Sequence, residues 1–64
     1  MFTMVKYTLL DDGFWETQLE VSDEEGNPLL YCQFHAVNRI PEFVLLEFKR
    51  HALATIEAYS EEVI

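Results

Sequence analysis

The chain has 64 residues, half of them hydrophobic, with twelve Asp and Glu against four Lys and Arg and a formal net charge of −8. That balance argues against direct binding to nucleic acid or to an anionic membrane, both of which need basic surface. So short a chain buries only roughly 60% of its unfolded surface; the lone Cys32 allows no internal disulfide and no Cys/His cluster suggests a structural metal, so the remaining staple is self-association.

From the N-terminus, Phe2 to Leu10 alternates Thr3, Val5, Tyr7 and Leu9 against Phe2, Met4, Lys6, Thr8 and Leu10, and its β-branched and aromatic content favours a strand. Asp12-Gly13 marks a tight turn. Phe14 to Ser22 then sets Trp15, Thr17, Leu19 and Val21 on one side and Phe14, Glu16, Gln18 and Glu20 on the other, the period of a half-buried antiparallel strand. Asp23 to Pro28 reads as a second, longer turn. Leu29 to Val37 is a third strand with Leu30, Cys32, Phe34 and Ala36 on one side, and Asn38-Arg39-Ile40 is a short connection.

Pro41 to Ile64 has the signature of one long helix. Pro41 suits the first turn and Glu42 complements the positive end of the dipole. With Val44 at zero and 100° per residue, Val44, Leu45, Phe48, Ala52, Ile56, Tyr59 and Val63 form the stripe expected to face the sheet. Nearly opposite lie Leu46, Leu53 and Ile64, with Phe43, Ala54 and the stem of Arg50 beside them. A lone sheet cannot cover both sets, so the second is predicted to meet a partner. The expected architecture is a single α+β domain, residues 1–64: a three-stranded antiparallel sheet (β-β-β) followed by one long C-terminal helix packed on one face, dimerising through the helix region. The half-polar outer sheet face, with Phe2, Met4, Leu10, Phe14, Leu29 and Tyr31 among its polar residues, is a second candidate interface.

Chemistry-bearing motifs are sparse. Glu47 and His51 form an i, i+4 pair that reads as a solvated helix face rather than as metal ligands, and Cys32 sits mid-strand as an inert thiol. The acidic runs Asp11-Asp12 and Asp23-Glu24-Glu25 lack calcium-loop spacing, and both glycines stand in turns rather than in a phosphate loop. No catalytic site, cofactor or metal is expected. One cysteine and no apolar run of about eighteen residues suggest a reducing, cytoplasmic setting without signal peptide or membrane span.

Charge is the more informative feature. Between Tyr7 and Asn38 there is no Lys or Arg, while Asp11, Asp12, Glu16, Glu20, Asp23, Glu24 and Glu25 all fall there. Such acidity serves solubility, or it presents carboxylates where a DNA-binding protein expects phosphates. From Trp15 onward the chain resembles the small uracil-DNA glycosylase inhibitors of phi29-like Bacillus phages: a strand, an acidic turn closed by glycine (Asp23-Glu24-Glu25-Gly26), an aromatic strand containing histidine (Leu30-Tyr31-Cys32-Gln33-Phe34-His35), then an acid followed by Phe and aliphatics at a helix start (Glu42-Phe43-Val44-Leu45-Leu46).

The resemblance implies a homodimer that occupies the DNA groove of a host uracil-DNA glycosylase with acidic edges, and holds an apolar side chain of the enzyme in a pocket at the dimer interface. Glu42 and Phe43 match the family's acid and Phe. The chain departs from the pattern at Val44, where a further acid is expected and Glu47 one turn on is the substitute, and in its extra strand, Phe2 to Leu10. The candidate target-binding residues are Glu16, Glu20, Glu24, Glu42, Phe43, Leu46 and Glu47; the candidate dimer contacts are Phe43, Leu46, Arg50 and Leu53. Two other readings remain: an inhibitor of a different nucleic-acid enzyme (a restriction, CRISPR or polymerase complex), and a small acidic structural or adaptor protein.

Overall fold

In the computed structural model the chain runs β1 (Phe2–Leu9), β2 (Trp15–Ser22), β3 (Pro28–Ala36) and α1 (Glu42–Glu62). Residues 1–62 are described, with side chains as far as Tyr59; Val63 and Ile64, which periodicity assigned to the two helix faces, lie outside the described residues. The strands form one antiparallel sheet in the order β1-β2-β3. The α+β architecture expected from the sequence is therefore the one observed.

Both hairpins close in the same way. The Gly13 N–H donates to the Leu10 carbonyl (3.0 Å) and the Leu10 N–H to the Phe14 carbonyl (2.8 Å); Gly26 donates to Asp23 (3.1 Å) and Asp23 to Asn27 (2.9 Å). Each is a turn completed by a residue in the left-handed region, Gly13 at φ 85° and Gly26 at φ 87°, where any side chain would be strained. The second turn is thus no longer than the first. Pro28 belongs to β3 as its first residue, a position where a missing N–H disturbs the ladder least.

This register gathers the alternating residues as the sequence implies. Val5, Tyr7, Thr17, Leu19, Cys32 and Phe34 are cross-strand neighbours on one face, the inner one; Met4, Lys6, Gln18, Glu20, Tyr31 and Gln33 are neighbours on the outer one. Leu19 and Val21 on β2 are fully buried, because only the central strand has neighbours on both sides and the helix above.

The connection into α1 is clamped rather than loose. The Tyr7 hydroxyl donates to the Ile40 carbonyl at 2.8 Å, and the Arg39 guanidinium lies 5.1 Å from the Trp15 ring centre and 5.6 Å from that of Tyr7. Pro41 stands just ahead of the helix, its carbonyl accepting from Val44 (3.1 Å) and Leu45 (3.2 Å).

The helix differs from its predicted orientation. Among the described side chains of the helix Leu45 alone is fully buried, with Lys49, Ala52 and Leu53 half-buried behind it, whereas Val44, Phe48 and Tyr59 of the expected core stripe are exposed. Leu45 and Ala52 belong to both rows, and the centre of the buried one is rotated by about 50°, half a residue step, from the predicted one. Its two flanks are distinct: Phe48 stacks edge-on against Phe34 of β3 at 5.3 Å, and Lys49 reaches Thr3 of β1 at 3.0 Å. Leu53, placed by periodicity on the opposite face, is partly covered. From Ala54 to Tyr59 every residue is exposed, and the molecule is elongated, 45 × 22 × 19 Å.

One buried group is unsatisfied. Thr17 is 1% exposed and its Oγ1 has no hydrogen-bond partner among the described residues. Exchanging that hydroxyl for a methyl of the same shape removes a desolvated polar group, so Thr17→Val raises stability by about 1 kcal/mol. For a domain of this size that is about 4–8 °C in Tm; a thermal melt in which Thr17→Val is unchanged or less stable than the parent shows that the hydroxyl has a partner in solution.

Candidate protein-binding surface

The seven carboxylates between Tyr7 and Asn38 follow the length of β2. Asp11 and Asp12 lie in the turn before it, Glu16 and Glu20 on its outer face, and Asp23, Glu24 and Glu25 in the turn after it. Glu16 and Glu20 are four residues apart on a strand, so their Cα atoms are about 13 Å apart. The whole row extends over about 27 Å. Lys6, paired with Gln18 on the same face, is the base among them.

Several of these acids are held in place by bonds that their local sequence dictates. The Asp12 carboxylate accepts from the Phe14 N–H at 2.9 Å and lies 3.3 Å from His35 Nε2, whose ring is 4.8 Å from that of Phe14. Asp23 accepts from the N–H groups of Glu25 (2.9 Å) and Asn27 (2.8 Å) and from the Asn27 side-chain amide (3.2 Å). Glu16 accepts from Gln33 Nε2 across the strands at 2.8 Å. Bonds to the ionised form lower a carboxyl pKa. The Phe14 N–H, with His35, holds Asp12 below the usual carboxylate range. The Asn27 backbone N–H, then the Asn27 side chain and the N–H groups of Glu25 and Gly26, do the same for Asp23.

The helix residues predicted to join this set lie on the other side of the sheet. Phe43 is 71% exposed. Glu47 bonds Arg50 at 2.8 Å, which together with the Arg50 charge lowers its pKa, and lies 3.9 Å from His51. Glu42 and Leu46 line a cleft of about 330 Å³ between the helix start and β1, walled by Thr3, Val5, Tyr7, Leu19 and Leu45. The predicted target-binding residues therefore divide into two groups: Glu16 and Glu20 with Glu24 at one end, and Glu42, Phe43, Leu46 and Glu47 on α1. Of the predicted dimer contacts, Leu53 is partly covered, while Phe43, Leu46 and Arg50 are exposed.

A hollow of about 370 Å³ beside Glu16, lined by Leu10, Gln33, Phe34 and His35, was not anticipated. Its signal was present in the pairing of Glu16 with His35, but reading it requires the loop lengths that set the register. Among the described residues no group of three or more His, Cys, Asp and Glu is placed to hold a metal ion, and no helix is long and apolar enough to cross a membrane. Comparison with protein-family models, with curated proteins and with solved structures finds no match to this chain.

The Asp23 bonds make a pH prediction. A carboxyl whose folded pKa is depressed contributes stability that is fully present above its unfolded value, about pH 4, and is lost as the pH falls through the lower folded value. Asp23→Ala removes both the turn bonds and this dependence, so the variant melts lower than the parent at pH 7 and the gap narrows below about pH 4. A gap that stays constant from pH 7 to pH 2 in a thermal melting series contradicts the assignment.

Proposed function

We propose that this chain is a non-enzymatic inhibitor of a DNA-binding enzyme, a homodimer that presents carboxylates where its target expects phosphates, acting in the cytoplasm of a bacterial host with uracil-DNA glycosylase as the target. The observation that carries the reading is the acid row along β2. Over about 27 Å a single DNA strand carries about eight phosphates, and this row has seven carboxylates, Asp11, Asp12, Glu16, Glu20, Asp23, Glu24 and Glu25. Three of them, Asp12, Glu16 and Asp23, are fixed by hydrogen bonds. Charges already held in place lose less conformational freedom on binding than free side chains do. Charge kept only for solubility needs no such fixing.

The apolar residues of the same face add support. Phe2, Met4, Phe14 and Tyr31 are exposed among the acids, an arrangement that suits a protein surface better than bulk water. The hollow beside Glu16 is of a size to take a side chain from the target. On this reading Glu16, Glu20 and Glu24 meet the enzyme's basic groove. Phe43 and Leu46, across the sheet from them, serve the homodimer, and Glu42 and Glu47 border it.

The test is a uracil-excision assay with purified glycosylase, alone and with increasing amounts of the protein, followed by association kinetics for the triple variant Glu16→Gln, Glu20→Gln, Glu24→Gln. Loss of excision at near-stoichiometric protein supports the target. The triple variant folds as the parent does but associates more slowly at low salt, by about tenfold or more, with a flatter salt dependence, since exposed charges act chiefly on encounter. Unimpaired excision removes uracil-DNA glycosylase as the target. An unchanged association rate removes the mimicry.

A further inference from the structure

The two edges of the sheet are not equivalent. β3 begins with Pro28, its ladder with β2 is irregular between Val21 and Ser22, and Phe48 of α1 lies against its Phe34. Proline, irregularity and cover are what blunts a strand edge against further pairing. β1 has neither proline nor irregularity: it is eight residues in unbroken register with β2, and α1 touches it through Lys49 at Thr3 while leaving an open cleft beside it.

The hydrogen-bond phase of that open edge follows from the hairpin. Leu10 bonds the Phe14 carbonyl, so Leu10 faces β2, and the antiparallel alternation makes Thr8, Lys6, Met4 and Phe2 do the same. The N–H and C=O groups of Thr3, Val5, Tyr7 and Leu9 then point out of the sheet. Thr3, Val5 and Tyr7 also wall the cleft of about 330 Å³ under Leu46. Open backbone groups lie beside a cleft whose walls are apolar apart from Thr3, the Tyr7 hydroxyl and Glu42 at its rim.

Charge and area select the occupant. The strand Phe2–Leu9 carries Lys6 and no carboxylate, whereas both hairpin turns and the outer face of β2 are acidic. A second molecule of net charge −8 meets less repulsion at β1 than at those acidic surfaces. The chain exposes 5041 Å², about 800 Å² more than the roughly 4,200 Å² usual for its mass. That excess is about one partner's share of a standard interface.

We infer that β1 pairs antiparallel with β1 of a second copy, joining the two sheets edge to edge with both helices on one face and both acid rows on the other. The register follows from parity. Bonded pairs join residues whose groups point outward, so the two-fold axis passes through a residue. An axis at Lys6 sets two ammonium groups opposite each other in the close, non-bonded pair, and axes at Met4 or Tyr7 shorten the overlap. An axis at Val5 sets Lys6 beside the partner's Met4 and Thr3 beside the partner's Tyr7, and it keeps nearly the whole strand paired. This rests on the homodimer of the proposed function and is independent of its target.

The test combines sedimentation equilibrium with amide hydrogen exchange on the unaltered protein. A dimer in which the Val5 and Tyr7 amides exchange at least about a hundredfold more slowly than in an unstructured chain is the expected result. A dimer in which these amides exchange freely overturns edge pairing and leaves association to the helix. A monomer at micromolar concentration overturns both, whatever the excision assay shows. The register has its own check: an equimolar mixture of Met4→Cys and Lys6→Cys chains, each in a Cys32→Ser background, oxidises to a covalent dimer, because an axis at Val5 makes these two positions a non-bonded antiparallel pair with Cα atoms about 4.5 Å apart, within disulfide range. No cross-link there overturns the axis at Val5.

Discussion

The burial of Leu45 on the inner face of the sheet is the constraint on which the rest of this structure depends. A single helix on three short strands has one place where a side chain is covered from all sides, and Leu19, Val21 and Leu45 occupy it with Thr17. Among the described residues every other apolar side chain is at least partly exposed. The clamp of Tyr7 and Arg39 on the connecting segment sets where the helix begins, and so which of its residues reaches that spot. The cleft beside β1 and the exposed flank at Phe48 are the two sides of a helix too narrow for the sheet below it.

The small core explains why the surface looks as it does. A chain of this length that folded to ordinary compactness would have a radius of gyration of about 11 Å; here it is 13.6 Å. Half the residues are hydrophobic, yet Phe2, Met4, Leu9, Tyr31 and Phe43 are each more than half exposed. The carboxylates of the sheet gather at its turns and on its outer face, while β1 carries Lys6 alone. The division of labour between a charged row and an uncharged edge is what links the proposed inhibitor to its proposed assembly.

Much of the sheet was legible in the sequence because a strand has a period of two and a one-residue error moves every side chain to the wrong face. Thr17, Leu19 and Val21 against Glu16, Gln18 and Glu20 admit one reading. The helix orientation was less legible for a related reason. Val44, Leu45 and Leu46 are three consecutive apolar residues spanning about 200° of the helix, so the pattern alone permits any of them to point down, and the shape of the sheet selected Leu45. The second turn looked longer because Asn27 and Pro28 are turn formers by composition. Asp23 instead closes the loop through Asn27 and leaves Pro28 to begin the strand. Likewise, nothing in the spacing of Glu16 and Phe43 reveals that the sheet lies between them.

The central claim is that this fold is completed by a second copy of itself. It is tested most directly by the dependence of the melting temperature on protein concentration, followed by circular dichroism over a dilution of about a hundredfold. Folding coupled to association makes Tm rise with concentration, and the account predicts a rise of several degrees across that range. A melting temperature independent of concentration, in a protein that sediments as a folded monomer, contradicts it.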